Sequence, residues 1–311
     1  MKPKVLFLLP PGWAPLGKEI FASPLYDALL HSTDDYRPDE VDYFVGFRPP
    51  HGFLKSLPHL KLVISLGAGV DGFLDDPQFP KHVPLVRFKD ESLALEMAQY
   101  VTLHVLMIHR HQRYFDQAQA DHAWRQLLPP RPTGKTRMGV MGLGEIGGTI
   151  AERLKAFGFA VSGWSRTRKN LPGVKSFAGK SERKEFLGQC DMLVCVLPLT
   201  QETRGMMNAE LFAQLPRGAW VINVARGAML VEEELIAALG SGQLAGAVLD
   251  VFQTEPLPED SPIWRHPQIT ATPHIAGITD PGVALRHVET CVSEMEAGRL
   301  PKDIVALERG Y

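Results

Sequence analysis

The sequence predicts an α/β protein of two domains built on doubly wound parallel sheets. Three observations carry this expectation. The chain has 311 residues, more than one small domain usually holds. Short apolar runs alternate with helix-length segments along its whole length. A glycine cluster, Gly142 to Gly147, stands between a strand pattern and a helix pattern. Hydrophobic residues make up 45% and charged residues 22%, the balance of a chain that buries a core. With 33 basic and 35 acidic side chains the formal charge is -2, so no global field draws it to nucleic acid or an anionic membrane.

In chain order, Val5–Leu9, Val41–Phe47, Leu62–Leu66 and Leu85–Phe88 are predicted as buried strands. The first run is stopped by Pro10 and Pro11 and is too short for a signal-peptide core or a membrane span. From Glu91 a stretch without Pro or Gly runs to about Gln126, and its first part, Leu93 to Ile108, is apolar enough for a largely buried helix. Pro129, Pro130, Pro132 and Gly134 end it in a surface excursion.

A second alternation begins at Arg137. Strands are predicted at Met138–Leu143, Phe159–Trp164, Met192–Leu197, Ala219–Val224, Ala245–Val251 and Ile269–Ala271. Helices are predicted at Ile146–Phe157, Glu182–Leu187, Ala209–Gln214, Glu232–Leu239 and Val283–Glu296. Units of this length imply parallel strands with right-handed crossovers. The three cysteines, Cys190, Cys195 and Cys291, show no paired spacing and are read as core residues of a cytoplasmic protein.

Gly142-Leu143-Gly144-Glu145-Ile146-Gly147 follows a strand and opens a helix, the context a dinucleotide fingerprint needs. Gly142 makes the tight turn, Gly144 lets the backbone approach a pyrophosphate, and Gly147 lets the helix pack near the strand. The phosphate charge then meets the free N–H groups of the helix N-terminus. An NAD site usually places an acid about 20 residues past the first glycine. Here the next strand ends Trp164-Ser165-Arg166-Thr167-Arg168-Lys169, with no acid. Ser165, Arg166 and Arg168 suit a 2′-phosphate, so NADP(H) is expected and NAD(H) is less preferred.

Three further segments form a dispersed constellation: Asn223-Val224-Ala225-Arg226-Gly227, Asp250 to Pro258 and Thr272-Pro273-His274-Ile275-Ala276-Gly277. Reducing a carbonyl beside a carboxylate requires a proton donor, a cation and a partner for the donor. His274, Arg226 and Glu255 supply one of each, and a carboxylate beside an imidazole favours its protonated form. No Cys or His set completes a metal site. The run His109-Arg110-His111-Gln112-Arg113 is read as a solvated helix end.

These blocks, in this order and spacing, resemble the D-isomer-specific 2-hydroxyacid dehydrogenases over nearly the whole chain. Within that family the chain is most similar to the branch that reduces glyoxylate and hydroxypyruvate. Trp164 to Lys169, Ser176-Phe177-Ala178-Gly179 and the ending Arg309-Gly310-Tyr311 carry the closer likeness. The resemblance implies His274 as proton donor, Glu255 as its partner and Arg226 on the keto-acid oxygens. It places Asp250 at the nicotinamide carboxamide, Leu197, Pro198 and Thr203 on the ribose side, and Glu145, Ile146, Val224 and Ala225 in the cofactor's surroundings. Ser65 to Asp71 looks like the family's substrate loop, in which the backbone of Ala68 and Gly69 holds the carboxylate. Phe47-Arg48 departs from the Trp-His pair of that branch, and Arg48 is either an extra anion contact or a surface cation.

The family architecture implies a flavodoxin-like substrate domain of residues 1–99 plus 278–311 and a Rossmann NADP-binding domain of residues 100–277. The long helix and its excursion, with His122 and Trp124, look like the arm of a homodimer. Two other readings stay open. An NAD-dependent dehydrogenase of another keto acid is disfavoured by the missing acid after Trp164. A dinucleotide-sensing binding protein, as in the family's likeness to some transcriptional co-repressors, is disfavoured by the intact Arg226, Glu255 and His274.

Overall fold

The computed structural model describes residues 2–127 and 131–308. Pro129, Pro130 and the terminal Arg309-Gly310-Tyr311 lie outside the described residues. The chain divides into two compact units, Met1–Asp90 with Thr279–Tyr311, and Glu91–Ile278. The helix Glu91–His109 belongs whole to the second unit, so the expected boundary at residue 99 falls inside a helix.

The first unit holds five parallel strands, β1 (Lys4–Leu8), β2 (Asp27–Leu30), β3 (Tyr43–Gly46), β4 (Leu62–Ser65) and β5 (Leu85–Val86), in the order β2-β1-β3-β4-β5. This is the flavodoxin-like doubly wound order. Successive side chains point to opposite faces, so one layer gathers Val5, Phe7, Val45, Leu62 and Ile64. The helix Pro281–Glu296 covers that layer with Ala284, Val288, Cys291 and Val292. Leu6, Phe44 and Val63 face the other way, against Val70, Phe73 and Phe79. Asp280 caps the helix by accepting from the Val283 N–H, with Pro281 in its first turn.

The second unit holds seven parallel strands: β6 (Arg137–Met141), β7 (Ala160–Ser165), β8 (Lys175–Ala178), β9 (Met192–Cys195), β10 (Ala219–Asn223), β11 (Leu244–Leu249) and β12 (Ile269–Ala271). Their order is β12-β11-β10-β9-β6-β7-β8. The winding reverses between β6 and β9, where ligands of open α/β sheets bind. Met138, Val140, Val194 and Ile222 pack on one face with Ala98, Val101 and Val105 of the helix Glu91–His109 and Ile150 and Leu154 of the helix Glu145–Ala156. Met141, Leu193, Val221 and Leu249 line the other face.

Three expectations change. The stretch from Glu91 is two helices, Glu91–His109 and Gln112–Ala120, separated where His111 turns left-handed at φ 57°. His109 is buried against the Phe159 ring, so the solvated basic end begins only at Arg110. Strands β2 and β8 escape the sequence pattern because both are short sheet edges with mixed exposure. Among the described residues no helix is long and apolar enough to cross a membrane. Cys190, Cys195 and Cys291 are buried and unpaired, and burial pushes their thiols up, to about 12, about 11 and about 12.

Candidate active site

In the second unit the residues expected at the cofactor and the reacting carbonyl lie in the segments that leave the carboxyl ends of the strands. Because all pairings are parallel, these ends share one edge of the sheet. The glycine loop leaves β6 at the reversal point. Gly142 has φ +102°, and a side chain there would meet the Val196 carbonyl oxygen at 2.8 Å. A side chain on Gly147 would stand 1.7 Å from the Gly142 carbonyl oxygen, so only glycine lets the helix start this close to the strand. Gly144 differs: a Cβ there has no atom within 4 Å. It caps the twelve-residue helix Glu145–Ala156, and Gly144 and Glu145 are exposed while Ile146 is half-buried. Open space before a helix N-terminus fits a pyrophosphate.

The loop after β7 begins with Ser165, buried, whose hydroxyl donates to the Thr167 carbonyl at 2.7 Å. Arg166 and Arg168 are exposed. The Arg168 guanidinium donates to the Ser176 carbonyl at 2.5 Å and pairs with Glu182. Glu182 also accepts from the Ala178 N–H at 2.8 Å, and that bond together with the Arg168 charge lowers its carboxyl below the usual range. After β9, Leu197 is half-buried and Pro198 exposed. Thr203 closes this turn by donating to the Pro198 carbonyl at 2.8 Å and accepting from the Thr200 N–H at 2.8 Å.

The side chains expected to carry the chemistry follow β10, β11 and β12. Buried Asn223 accepts from the Ala225 N–H at 3.1 Å and donates to the Arg226 carbonyl at 3.1 Å, shaping the Val224-Ala225-Arg226 turn. Arg226 donates to the Ala225 carbonyl at 2.7 Å. A side chain on Gly227 would lie 1.8 Å from the Phe252 carbonyl carbon, so this glycine brings the Arg226 turn onto the segment carrying Glu255. One Glu255 oxygen accepts from the Phe252 N–H at 2.9 Å, and the other meets His274 Nδ1 at 2.8 Å. Burial raises the Glu255 carboxyl, but the His274 and Phe252 hydrogen bonds, with the charges of His274 and Arg226, outweigh it and hold it below the usual range.

His274 sits left-handed at φ 55°, with its N–H donating to the Asp250 carbonyl at 2.9 Å and the Thr272 carbonyl at 3.0 Å. With Nδ1 held by Glu255 and the side chain 45% exposed, Nε2 is the ring atom open to a substrate. Asp250 is buried. Its carboxylate accepts from the Thr272 hydroxyl at 2.6 Å, the Ile275 N–H at 2.8 Å and the Ala276 N–H at 2.8 Å. Asp250 is thus bound to the His274 turn itself, a role the sequence does not announce.

In the first unit, Ser65 ends β4 fully buried. Its hydroxyl donates to the Gly67 carbonyl at 2.9 Å and accepts from the Gly67 N–H at 3.2 Å. Ala68 and Gly69 are half-buried on the curl that follows. Arg48 pairs with buried Asp71 at 3.2 Å, and its side chain stays 69% exposed.

Residues 102–276 match the model of the D-isomer specific 2-hydroxyacid dehydrogenase NAD binding domain. The chain belongs to that family. Glyoxylate/hydroxypyruvate reductase A of Serratia proteamaculans is 44% identical over 282 residues, 89% of each chain. The protein of the same name from Yersinia enterocolitica is 43% identical, over 87% of this chain and 88% of its own. Among solved structures, the family's dehydrogenase from Xanthobacter autotrophicus in complex with NADPH and MES has a TM-score of 0.91 at 40% identity. The NADPH-dependent glyoxylate/hydroxypyruvate reductase from Sinorhizobium meliloti in complex with NADP and sulfate has a TM-score of 0.93 at 35% identity. Both match over 100% of each chain.

Several supporting residues of this dehydrogenase fold were not legible as such. Trp164 donates its indole N–H to the Gly179 carbonyl at 2.8 Å, tying the Arg168 loop to the helix that carries Glu182. Asn223 had one signal, a lone amide ending an apolar strand. Tyr100 had none: it lies within the stretch expected as a buried helix, and no motif marks it.

Proposed function

We propose that this chain uses NADPH to reduce glyoxylate and hydroxypyruvate to glycolate and glycerate, with NADH the less preferred donor. The observation that carries this reading is the His274–Glu255 pair at 2.8 Å, within the field of Arg226 and on the same sheet edge as the glycine loop. The likeness to reductases of that name and to structures holding NADPH or NADP supports the choice of substrate and cofactor.

When bound, the reduced nicotinamide supplies the hydride. Arg226 binds and polarises the keto-acid oxygens, and the Ala68 and Gly69 N–H groups receive the carboxylate. His274 Nε2 gives its proton to the carbonyl oxygen as negative charge develops there, while Glu255 orients the ring through Nδ1. The Gly144 N-terminus, with Glu145 and Ile146 beside it, takes the pyrophosphate; Leu197, Pro198, Thr203, Val224 and Ala225 border the nucleoside. Ser165, Arg166 and Arg168 read the 2′-phosphate. Asp250 supports the nicotinamide pocket through the His274 turn, and Arg48 contributes positive charge near the substrate loop. The unit Met1–Asp90 with Thr279–Tyr311 serves the substrate and the unit Glu91–Ile278 the cofactor.

A steady-state panel of glyoxylate, hydroxypyruvate, pyruvate and phenylpyruvate, each with NADPH and NADH, tests the assignment. Glyoxylate or hydroxypyruvate with NADPH should give the highest kcat/KM. Phenylpyruvate turning over faster than either would overturn it.

The protein acts as a homodimer in the cytoplasm. Its unpaired buried cysteines suit a reducing compartment, and Leu103, Tyr114, Phe115 and Trp124, the last 93% exposed, offer the helical arm an apolar surface for a second copy. Sedimentation at micromolar concentration should give twice the chain mass; a monomer refutes the dimer.

A further inference from the structure

The helix Glu91–His109 is the floor on which the His274 turn rests. Leu93, Met97 and Tyr100 recur at the spacing of one helical face. A side chain on Gly277 would lie 2.6 Å from Met97 Cγ and 2.8 Å from Leu93 Cδ1, so the turn is pressed directly onto that face. Just past the turn, the Ile278 N–H donates to Glu96 at 3.2 Å.

On the same face the Tyr100 hydroxyl meets Thr272 Oγ1 at 2.5 Å, and Thr272 Oγ1 meets Asp250 Oδ1 at 2.6 Å. The direction of this chain follows from its chemistry. The Asp250 carboxylate oxygen accepts, so the single hydroxyl proton of Thr272 is committed to it. Tyr100 must then donate to Thr272. The His104 ring lies tilted against the Tyr100 ring with centroids 4.4 Å apart, and burial lowers its pKa.

We propose that the Tyr100 hydroxyl is a positioning group for keto-acid reduction, acting through Thr272 and Asp250. The relay runs from the Tyr100 O–H to Thr272 and on to Asp250. Asp250 in turn holds the Ile275 and Ala276 N–H groups and, through its carbonyl, the His274 N–H. Those bonds fix His274 in a left-handed conformation that a histidine rarely adopts, and they aim its ring at Glu255. Without the hydroxyl of Thr272, Asp250 Oδ1 loses a donor and the turn can relax. A displacement of about an ångström at a proton donor is enough to slow catalysis severely. The inference rests on the reading of His274 as the donor.

Four variants test it: Tyr100→Phe, Thr272→Val, Thr272→Ser and the Tyr100→Phe/Thr272→Val double. Loss of a hydrogen bond to a charged group should lower kcat about tenfold in Thr272→Val, and loss of a neutral one about threefold in Tyr100→Phe. Thr272→Ser should restore the rate. The double variant should be no slower than Thr272→Val, because the Tyr100 hydroxyl reaches the turn through Thr272 and Phe keeps the ring's packing. The solvent isotope effect on kcat should rise in Thr272→Val as proton donation becomes slower. Amide exchange at Ile275 and Ala276, measured without substrate, should quicken in the same order as kcat falls. Multiplying losses in the double variant, or a lowered Tm with kcat, isotope effect and exchange unmoved, overturns the relay. An unaltered protein that reduces no keto acid refutes the reading beneath it, and the exchange experiment then still decides whether the relay holds the turn.

Discussion

The two halves of the seven-stranded sheet solve different problems with different means. Around β6, β7 and β8 the groups offered to a ligand are backbone N–H groups and exposed cations, at Gly144, Arg166 and Arg168. Around β10, β11 and β12 they are side chains bonded to one another: Asn223 to the Arg226 turn, Glu255 to His274, Thr272 to Asp250. A phosphate brings its full charge with it, and a helix N-terminus or an exposed arginine can meet it. Charge that develops only during reaction needs donors already in place, because reorganising them would add to the barrier. Openness therefore serves the first half and interlocking the second.

The sharpest way to break this contrast is at the proton donor. His274→Ala or His274→Asn should lower kcat by about a hundredfold or more, as for loss of a positioned general acid. The NADPH dissociation constant, followed by fluorescence titration, should hardly change. A kcat within tenfold of the parent would remove His274 from the chemistry.

The glycine loop can be probed by two substitutions of identical chemistry. Gly147→Ala places a methyl 1.7 Å from the Gly142 carbonyl oxygen, so strand and helix must move apart. Overpacking of this kind costs about 1–3 kcal/mol, and both Tm and NADPH affinity should fall. Gly144→Ala meets no protein atom within 4 Å, so Tm should hold while NADPH affinity falls. Unchanged affinity in Gly144→Ala would show that no phosphate approaches there.

Glu255→Gln sharpens the other half. The rate of reduction should fall about tenfold, in line with loss of a hydrogen bond to a charged group. Without its carboxylate the His274 ring loses the hydrogen bond that orients it through Nδ1, so the loss should appear in kcat with the KM for NADPH nearly constant. The folded-state pKa of Glu255 lies below its ordinary value. Its contribution to stability is therefore fully present above the unfolded pKa, about 4.3, and is lost as pH falls through the folded value. Urea unfolding of the parent and Glu255→Gln should converge at acidic pH. A kcat that does not change would sever Glu255 from His274.

The legible parts of the molecule were those that repeat or that forbid alternatives. Buried strands such as Leu62–Ser65 and Val221-Ile222 are continuous apolar runs, and the glycine loop is dictated by contacts a Cβ cannot make. The edge strands Asp27–Leu30 and Lys175–Ala178 were hidden because one side of each is solvent, and their sequences carry Asp, Ala, Lys and Ser. Arg226, Glu255 and His274, the three proposed for the chemistry, stood out by residue type in the segments after β10, β11 and β12. Their supports did not. Tyr100 is separated from Thr272 by 172 residues, and no local pattern records such a contact.

The smallest expected effect concerns the two arginines after β7, and it separates them. Arg168 already donates to the Ser176 carbonyl and pairs with Glu182, so its guanidinium must share or exchange partners to bind a 2′-phosphate. Arg168→Gln should therefore raise the KM for NADPH only a few-fold, about 2- to 3-fold, because the exposed pair it leaves contributes little. Removing Arg166 as well should raise it further, to about tenfold, with the KM for NADH nearly constant because NADH lacks the phosphate. Glu182→Gln offers the counter-test: freed from its carboxylate, Arg168 should bind the phosphate better and the KM for NADPH should fall. Equal losses with both cofactors in the double arginine variant would mean that these cations serve the loop's structure and do not read the 2′-phosphate.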